Sequence, residues 1–151
     1  MDEKDKEILK TMMILKTNNL QDIADRVSIS KSSVQKRIKK MEEEKIIKGF
    51  IPELDRNNLP ETLTAISMIK ARYGPGYAEE VGEKIKEVKG ICALYYVLGD
   101  YDFTAVIKAE SIKDLESILN KISLIDGVER SNTITVLSIK KEDLTEFNRI
   151  D

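Results

Sequence analysis

The sequence predicts an α+β chain with an N-terminal winged-helix-like helix-turn-helix domain and a C-terminal βαββαβ ferredoxin-like domain. Two observations support this prediction. Residues 20–40 have the apolar spacing of two short helices joined by a tight turn. Residues 63–139 alternate β-rich and helical segments in the order βαββαβ. Because 151 residues can form one large or two small domains, the division depends on these patterns.

The paired helices are defined by apolar residues spaced three and four apart. They are Ile23, Ala24 and Val27 in the first helix and Val34, Ile38 and Met41 in the second. Ser28 and Ile29 lie in the turn, and Ser30 can cap the second helix with its hydroxyl. A third helix comes before them, behind Asp2 or Glu3, and Asn19 can cap the next one. The helices predicted to share this core are residues 4–15, 20–27 and 31–44.

The second helix of the pair carries polar and basic side chains off its apolar face. Between residues 31 and 40 there are five basic residues and no acidic one. We predict base-edge contacts from Ser32, Ser33, Gln35 and Lys36, and phosphate contacts from Lys31, Arg37, Lys39 and Lys40. An isolated basic run is more often a solvated helix face, but the adjoining turn favours binding to double-stranded DNA.

Charge is distributed unevenly along the chain. The first fifty residues carry twelve basic and nine acidic side chains, a net charge of +3. Since the whole chain has a net charge of −2, the remaining residues carry −5. This asymmetry is expected when one part of a protein meets nucleic acid and the other does not. The abundance of Lys, Glu and Ile and the lack of Trp indicate a thermophilic source.

The composition also narrows the function classes. With no histidine and with Cys92 as the single cysteine, metal sites, disulfides and histidine-based catalysis are disfavoured, so we do not expect an enzyme. Cys92 lies in the apolar run ICALYYVL and is predicted to be a small buried side chain. No apolar run reaches the roughly 18 residues of a membrane helix. The N-terminus lacks a signal-peptide pattern, so we expect a cytoplasmic protein with no membrane partner.

The middle of the chain is predicted to separate two domains. Apolar residues around Gly49 predict a strand over residues 46–51, and the Pro- and Asn-rich stretch that follows predicts a hinge. The predicted division is a helix-turn-helix domain at 1–50, a hinge strand and linker at 51–61, a βαββαβ domain at 62–141 and a C-terminal tail at 142–151.

The second half contains a repeat. The segment KIKEVKGI, from Lys84, matches KISLIDGV, from Lys121, and a β-rich segment follows each glycine. Gly90 and Gly127 suit positions of positive φ after a helix. The predicted strands are residues 63–71, 91–98, 101–109 and 131–139, with both helices on one face of an antiparallel sheet. Since the strand at 91–98 is apolar on both alternations, the open face predicts sheet-to-sheet dimerisation.

A polar turn lies between the two central predicted strands, with the sequence Gly99-Asp100-Tyr101-Asp102. Gly-Asp is a common hairpin signal, which accounts for the turn itself. The turn also has a second carboxylate and an aromatic ring beside a predicted interface, and Asp100 or Asp102 can hold an ammonium group there.

These features together resemble the Lrp/AsnC family, the feast/famine transcription regulators, and an archaeal member in particular. The matching segments are DEKDKEIL, DIADRVSISKSSVQKRIKKMEEEKIIKGF, LGDYDFTAVIKA and IDGVERSNTITVL. They span essentially the whole chain. The resemblance implies an N-terminal DNA-binding domain, a hinge strand and a C-terminal effector domain that forms a homodimer, which assembles to a tetramer or octamer.

The resemblance also implies a small amino acid as effector, bound in a cleft between dimers, and no other cofactor. Carried over by position, the effector-binding residues are Gly99, Asp100, Tyr101, Asp102, Ile134, Thr135 and Val136. Ser28 replaces a glycine often found in the family's turn, so the backbone there must be one that a non-glycine residue can adopt. Thr133 and Thr135 make the last strand more polar than in leucine-responsive members, which favours a polar effector.

The sequence therefore predicts a sequence-specific DNA-binding transcriptional regulator whose oligomerisation or DNA affinity responds to a small amino acid. A symmetric dimer would present two recognition helices to successive major grooves. Two alternatives stay open. One is a stand-alone amino-acid-sensing or protein-interaction module without DNA binding. The other is a small enzyme on the ferredoxin-like fold, such as a phosphatase, which the lack of histidine and of a Gly-rich phosphate loop disfavours.

Overall fold

The computed structural model describes residues 1–55, 58–72, 74, 76–143, 146 and 150. The elements, in chain order, are α1 (Glu3–Leu15), α2 (Leu20–Val27), α3 (Lys31–Glu43), β1 (Leu63–Ala71), α4 (Tyr77–Lys86), β2 (Ile91–Tyr96), β3 (Phe103–Ala109), α5 (Ile112–Ser123) and β4 (Val128–Thr135). The predicted order, three helices followed by βαββαβ, is confirmed. Among the described residues, no helix is long and apolar enough to cross a membrane.

The chain divides into two compact units, a helical unit of residues 1–55 with 141–151, and a sheet unit of residues 56–140. The predicted hinge at 51–61 stays a prediction, because residues 56 and 57 lie outside the described residues. The same holds for the predicted tail at 142–151, of which residues 144, 145, 147–149 and 151 are not described.

The helical unit begins each helix with a side-chain cap. Asp2 caps α1 and forms a capping box with Asp5. Asn19 Oδ1 accepts hydrogen bonds from Gln21 N and Asp22 N at the start of α2, and Ser30 Oγ accepts one from Ser33 N at the start of α3. The caps that the sequence predicted are confirmed. The core between the helices is fully apolar at its centre and includes Ile8, Met12, Ile23, Ala24, Val27, Val34, Ile38 and Met41.

The turn between α2 and α3 is set by Ser28, which ends α2 with φ 56° and ψ 45°. This is the small left-handed region that non-glycine residues adopt at a cost. The side chain of Ser28 is exposed, so a Cβ atom meets no packed neighbour there. Ser28 and Ile29 both donate their backbone N–H to Ala24 O, which closes the end of α2. Serine is therefore compatible with the helix-turn-helix turn.

The strand predicted at residues 46–51 is wrong for the chain as described, because these residues have no strand conformation. The N–H groups of Ile46 and Ile47 donate instead to Met41 O, at 2.9 and 3.2 Å, and close the end of α3. A strand needs a neighbouring strand for its ladder, and the described part of the helical unit contains none. Phe50 and Ile51 are consequently exposed.

The sheet unit forms one antiparallel sheet in the order β2-β3-β1-β4, which is the ferredoxin-like order. Along β1 and β3 every second residue is buried, as expected for strands with one face against a core. These residues pack against Val81 and Ile85 of α4 and against Leu115, Ile118 and Ile122 of α5. Both helices thus cover one face of the sheet, as predicted.

The two repeats form the same turn after their helices. Gly90 has φ 101° and Gly127 has φ 108°, so the predicted positive φ is confirmed at both. In each, the next residue donates its N–H to the carbonyl three residues earlier, at Val88 and Ile125. A Cβ atom on Gly127 would lie 2.1 Å from Tyr77 Oη and 2.5 Å from Val81 Cγ2. Packing and backbone conformation together require glycine here.

The prediction that Cys92 is buried is wrong, because Cys92 is exposed. The register of β2 against β3 shifts between Ile91 and Ala93, which indicates a bulge at Cys92. The bulge takes Cys92 out of the regular alternation, so the apolar run alone predicted the wrong side. The boundaries of the strands also differ from the prediction, since β2 ends at Tyr96 and β4 already begins at Val128.

The face of the sheet opposite the helices has an apolar patch at its centre. Ile66 of β1 pairs with Val106 of β3 and with Ile134 of β4, so the three side chains lie on one face. Ile66 and Val106 are only half-buried, and Ile134 and Tyr95 are about half exposed, at 52% and 49%. Within the described part of the sheet unit, no element covers this face.

Candidate DNA-binding surface and effector site

The exposed surface of α3 displays the residues predicted to contact DNA. Val34, Ile38 and Met41 are buried on one side of the helix. Successive residues are rotated by about 100°, so Lys36 lies nearly opposite this buried side. The other exposed candidates on α3 are Lys31, Ser32, Ser33, Gln35, Lys39 and Lys40. One helix thus presents hydroxyl, amide and ammonium groups together, the types that bind base edges and phosphates.

Few of these side chains are engaged within the chain. Lys31 and Lys36 form no ion pair with any residue that the structure describes. Lys39 and Lys40 lie 4.0 and 3.7 Å from Glu43 and Glu44, in exposed pairs one helical turn apart. Such pairs contribute little and are screened by salt, so the ammonium groups remain available to a phosphate.

The hydroxyls at the start of α3 form a small cluster. Ser30 Oγ donates to Ser33 Oγ at 2.9 Å and lies 3.1 Å from Ser32 Oγ. All three residues are exposed. A hydroxyl rotates at little cost, so these groups can exchange partners with an incoming base or phosphate.

Arg37 differs from the other candidates. Its Nη1 donates to both carboxylate oxygens of Asp2, at 2.9 and 2.7 Å, and to Asp5 Oδ1 at 2.6 Å. The sequence predicted a phosphate contact for Arg37 but gave no signal of this pairing, because Asp2 and Asp5 lie more than thirty residues away.

The hairpin between β2 and β3 contains the first predicted effector segment, Gly99 to Asp102. Asp102 Oδ2 accepts a hydrogen bond from Ala71 N at 2.8 Å and lies 3.5 Å from Lys70 Nζ. The Asp102 backbone N–H donates to Ile69 O, and its carbonyl accepts from Val97 N. Asp102 therefore fastens the hairpin to the end of β1, and its carboxylate is largely occupied.

Two further charged groups at or near the hairpin, Asp100 and Arg130, are exposed. The side chain of Asp100 has no hydrogen bond or ion pair with any described residue and is exposed. The guanidinium of Arg130, on β4, lies over the ring of Tyr101 with its carbon 5.8 Å from the centroid. Arg130 is a candidate that the sequence analysis missed. The strand register, which brings Arg130 opposite Lys70, would have been needed to find it.

The second predicted effector segment, residues 134–136, lies elsewhere on the sheet. Val136 N donates to Thr64 O at 2.8 Å, whereas the hairpin is bonded to Ile69 and Ala71. Five residues of β1 separate the two attachment points, which is roughly 16 Å along the strand. Within one chain the two segments therefore lie at opposite ends of β1.

The threonines of β4 differ in what they contact. Thr133 Oγ1 lies 2.8 Å from Ser67 Oγ, and Ser67 is fully buried. Thr133 thus satisfies a buried hydroxyl inside the sheet unit. Thr135 pairs with Ala65 and is exposed. Of the two threonines that favoured a polar effector, only Thr135 has its side chain open to a ligand.

Both units of the chain match known protein families. The Lrp/AsnC ligand binding domain matches residues 64–145, and the winged helix-turn-helix DNA-binding family matches residues 1–48. An uncharacterised HTH-type transcriptional regulator of Pyrococcus abyssi is 34% identical over 150 residues, 95% of this chain and 96% of the relative. The HTH-type transcriptional regulator LrpA of Pyrococcus horikoshii is 37% identical over 130 residues, 85% of this chain and 91% of the relative.

Solved structures share the fold over nearly the whole chain. Escherichia coli AsnC superposes with a TM-score of 0.77 at 22% identity, covering 94% of this chain and 95% of that one. A transcriptional regulator of Neisseria meningitidis, solved as a complex with L-Met, gives 0.81 at 17% identity and covers 96% and 95%. With its fold, its α3 surface and these relatives, the chain belongs to the Lrp/AsnC family of helix-turn-helix transcriptional regulators.

Proposed function

We propose that this protein regulates transcription by binding a specific duplex DNA site as a homodimer or larger assembly, and that a small amino acid alters its assembly or its DNA affinity. The observation that carries the DNA-binding part is the exposed face of α3, where serine, glutamine and lysine side chains lie together beside a helix-turn-helix turn. A second candidate function is not favoured by any contact among the described residues.

For DNA binding, α3 enters the major groove. Ser32, Ser33, Gln35 and Lys36 contact base edges near the start of the helix, where recognition helices usually meet the bases. Lys31, Lys39 and Lys40 neutralise phosphates on either side.

For assembly, the apolar face formed by Ile66, Val106, Tyr95 and Ile134 packs against the same face of a second copy. An isologous contact of this kind gives a two-fold symmetric dimer, which suits a DNA site with two half-sites. Its apolar character favours self-association over exposure to water.

For the effector, the hairpin of one copy and residues 134–136 of another form the cleft. The roughly 16 Å between these segments within one chain supports a cleft that is shared between copies. Asp100 accepts the ammonium group of the amino acid, and Arg130 pairs with its carboxylate. Thr135 and Val136 of the other copy contact its side chain, and Ile134 belongs to the contact between copies. The L-Met complex of the Neisseria regulator supports an amino acid as the ligand class.

The DNA-binding part is tested by the salt dependence of affinity. The probe is a duplex selected with the wild-type protein from a random-sequence pool. Each phosphate contact adds about −0.9 to the slope of log affinity against log salt. The double variant Lys36→Ala/Lys39→Ala should bind more weakly and with a flatter slope. If wild-type affinity for every duplex tried is independent of salt, the protein-interaction alternative replaces the proposal.

The effector part is tested by light scattering of the full chain with each of the twenty amino acids. One amino acid should change the mass of the assembly or its DNA affinity, and Asp100→Ala and Thr135→Ala should each abolish that response. When the two variants are refolded together, about one site in four is intact if the site is shared between copies, so part of the response returns. A mixture with no recovered response would mean that each site lies within one chain.

A further inference from the structure

Arg37 is held by both carboxylates of the α1 capping box. Asp2 Oδ1 accepts from Asp5 N at 2.9 Å, and Asp5 Oδ2 accepts from Asp2 N at 2.8 Å. Three further hydrogen bonds to the two carboxylates come from Arg37 Nη1, at 2.6 to 2.9 Å. The carboxylates are thus oriented by the backbone of α1, and they fix the guanidinium of α3 in turn.

The cluster lies at the edge of the helical core. Asp5 is 4% exposed, whereas the side chain of Arg37 is 34% exposed. A nearly buried carboxylate without its cation would be costly, so Arg37 compensates Asp5. The hydrogen bond from Arg37 lowers the pKa of Asp2 to about 2, so its carboxylate is charged at neutral pH.

Arg37 also lies off the exposed stripe of α3. At about 100° per residue, Arg37 is roughly 65° from the centre of the buried side, whereas Lys36 is roughly 165° from it. The guanidinium points to the start of α1, where two negative charges already balance it. A phosphate that approached Arg37 would also approach the carboxylate of Asp2. Lys36 forms no ion pair with a described carboxylate, so a phosphate meets no such repulsion there.

We propose that Arg37 is a positioning residue for DNA binding rather than a phosphate contact. By joining the start of α1 to the middle of α3, it fixes the angle at which the recognition helix is presented to the groove. Base-edge contacts depend on that angle, whereas phosphate contacts by long lysine side chains tolerate small changes. Losing the cluster should therefore reduce discrimination between DNA sequences more than it reduces binding to DNA in general.

The test compares Arg37→Gln with Lys39→Gln, which removes one positive charge from the same helix. Affinities of the full-length variants are measured from low to moderate salt, for the selected duplex and for a scrambled duplex of the same composition. We expect Lys39→Gln to reduce the salt slope by about 0.9 on both duplexes. We expect Arg37→Gln to leave the slope unchanged and to reduce the preference for the selected duplex about tenfold or more. A reduction of this size corresponds to the loss of a few base contacts.

A second variant tests the cluster from the other helix. Asp2→Asn keeps a good N-cap on α1 but removes one of the charges that hold Arg37. It should reproduce the loss of sequence preference, and it serves as the test if Arg37→Gln does not fold. A fall in salt slope with Arg37→Gln equal to that of Lys39→Gln would overturn the proposal, as would lowered thermal stability with unchanged preference. Failure of the wild-type protein to bind any duplex would instead count against the DNA-binding function itself.

Discussion

The helical unit and the sheet unit differ in how much of their candidate function lies within one chain. The exposed residues that we propose to contact DNA all lie on α3, so a single copy displays the whole surface. In the sheet unit the hairpin and residues 134–136 lie at opposite ends of β1. A helix rises only about 1.5 Å per residue and keeps its residues close together, whereas a strand separates them by about 3.3 Å per residue. The proposed DNA-binding surface is therefore local, whereas the proposed effector site is divided between copies.

The turns of the two units differ in a related way. Ser28 has a left-handed backbone conformation, and its side chain is exposed to solvent. Gly127 has one against packed side chains of α4. The helical unit thus tolerates a side chain at its critical turn, and the sheet unit does not. Substitutions at matched positions test this difference.

The largest effect is expected for Gly127→Ala. The new Cβ would overlap Tyr77 Oη and Val81 Cγ2 and would adopt φ 108°. Left-handed strain and overpacking together should lower the free energy of unfolding by roughly 3 kcal/mol. Urea denaturation followed by circular dichroism measures it. Tyr77→Phe in the same chain should recover part of the loss, and a Gly127→Ala protein of wild-type stability would show that α4 yields easily.

A smaller loss is expected for Asp102→Ala. The substitution leaves Ala71 N without this acceptor and removes the Asp102 carboxylate from beside Lys70, at a site where both charged side chains are 15% exposed. We expect a loss of about 2 kcal/mol in the free energy of unfolding. Asp100→Ala, the matched control two residues earlier in the same turn, should change stability by less than about 0.5 kcal/mol. Equal losses for the two variants would contradict the assignment of Asp102 to the hairpin.

The distance along the chain between contacting residues explains which features the sequence could predict. Apolar spacing and cap residues predicted α1 to α3, because both act within a few residues of each other. The strand order followed from the repeat around Gly90 and Gly127. The bulge at Cys92 could not be predicted, because a run of apolar residues does not indicate where the strand register shifts. The partners of Arg37 and Asp102 come from other elements, and only the folded chain brings them together.

A gain of stability is expected for Ser28→Gly. Glycine relieves the left-handed strain at φ 56°, although it also adds entropy to the unfolded chain. The net effect should be an increase of about 0.5 kcal/mol in the free energy of unfolding. Chemical denaturation of the two proteins side by side measures it, with Ser30→Gly as a control that removes a cap and should destabilise. A Ser28→Gly protein of lower stability would mean that the serine hydroxyl supports the turn.

The smallest expected effect is the acid sensitivity of the cluster around Arg37. Its hydrogen bonds lower the pKa of Asp2 from 3.8 to about 2. Burial raises the pKa of Asp5, but its hydrogen bonds from Asp2 N–H and Arg37 outweigh this, and the pKa is lowered. A lowered carboxylate pKa adds stability that is present above about pH 4 and is lost as the pH falls toward 2. The difference in melting temperature between wild type and Arg37→Gln should therefore be constant near neutral pH and shrink below pH 4. A difference that stays constant down to pH 2 would mean that Arg37 stabilises the helical unit through the packing of its side chain and not through its charge.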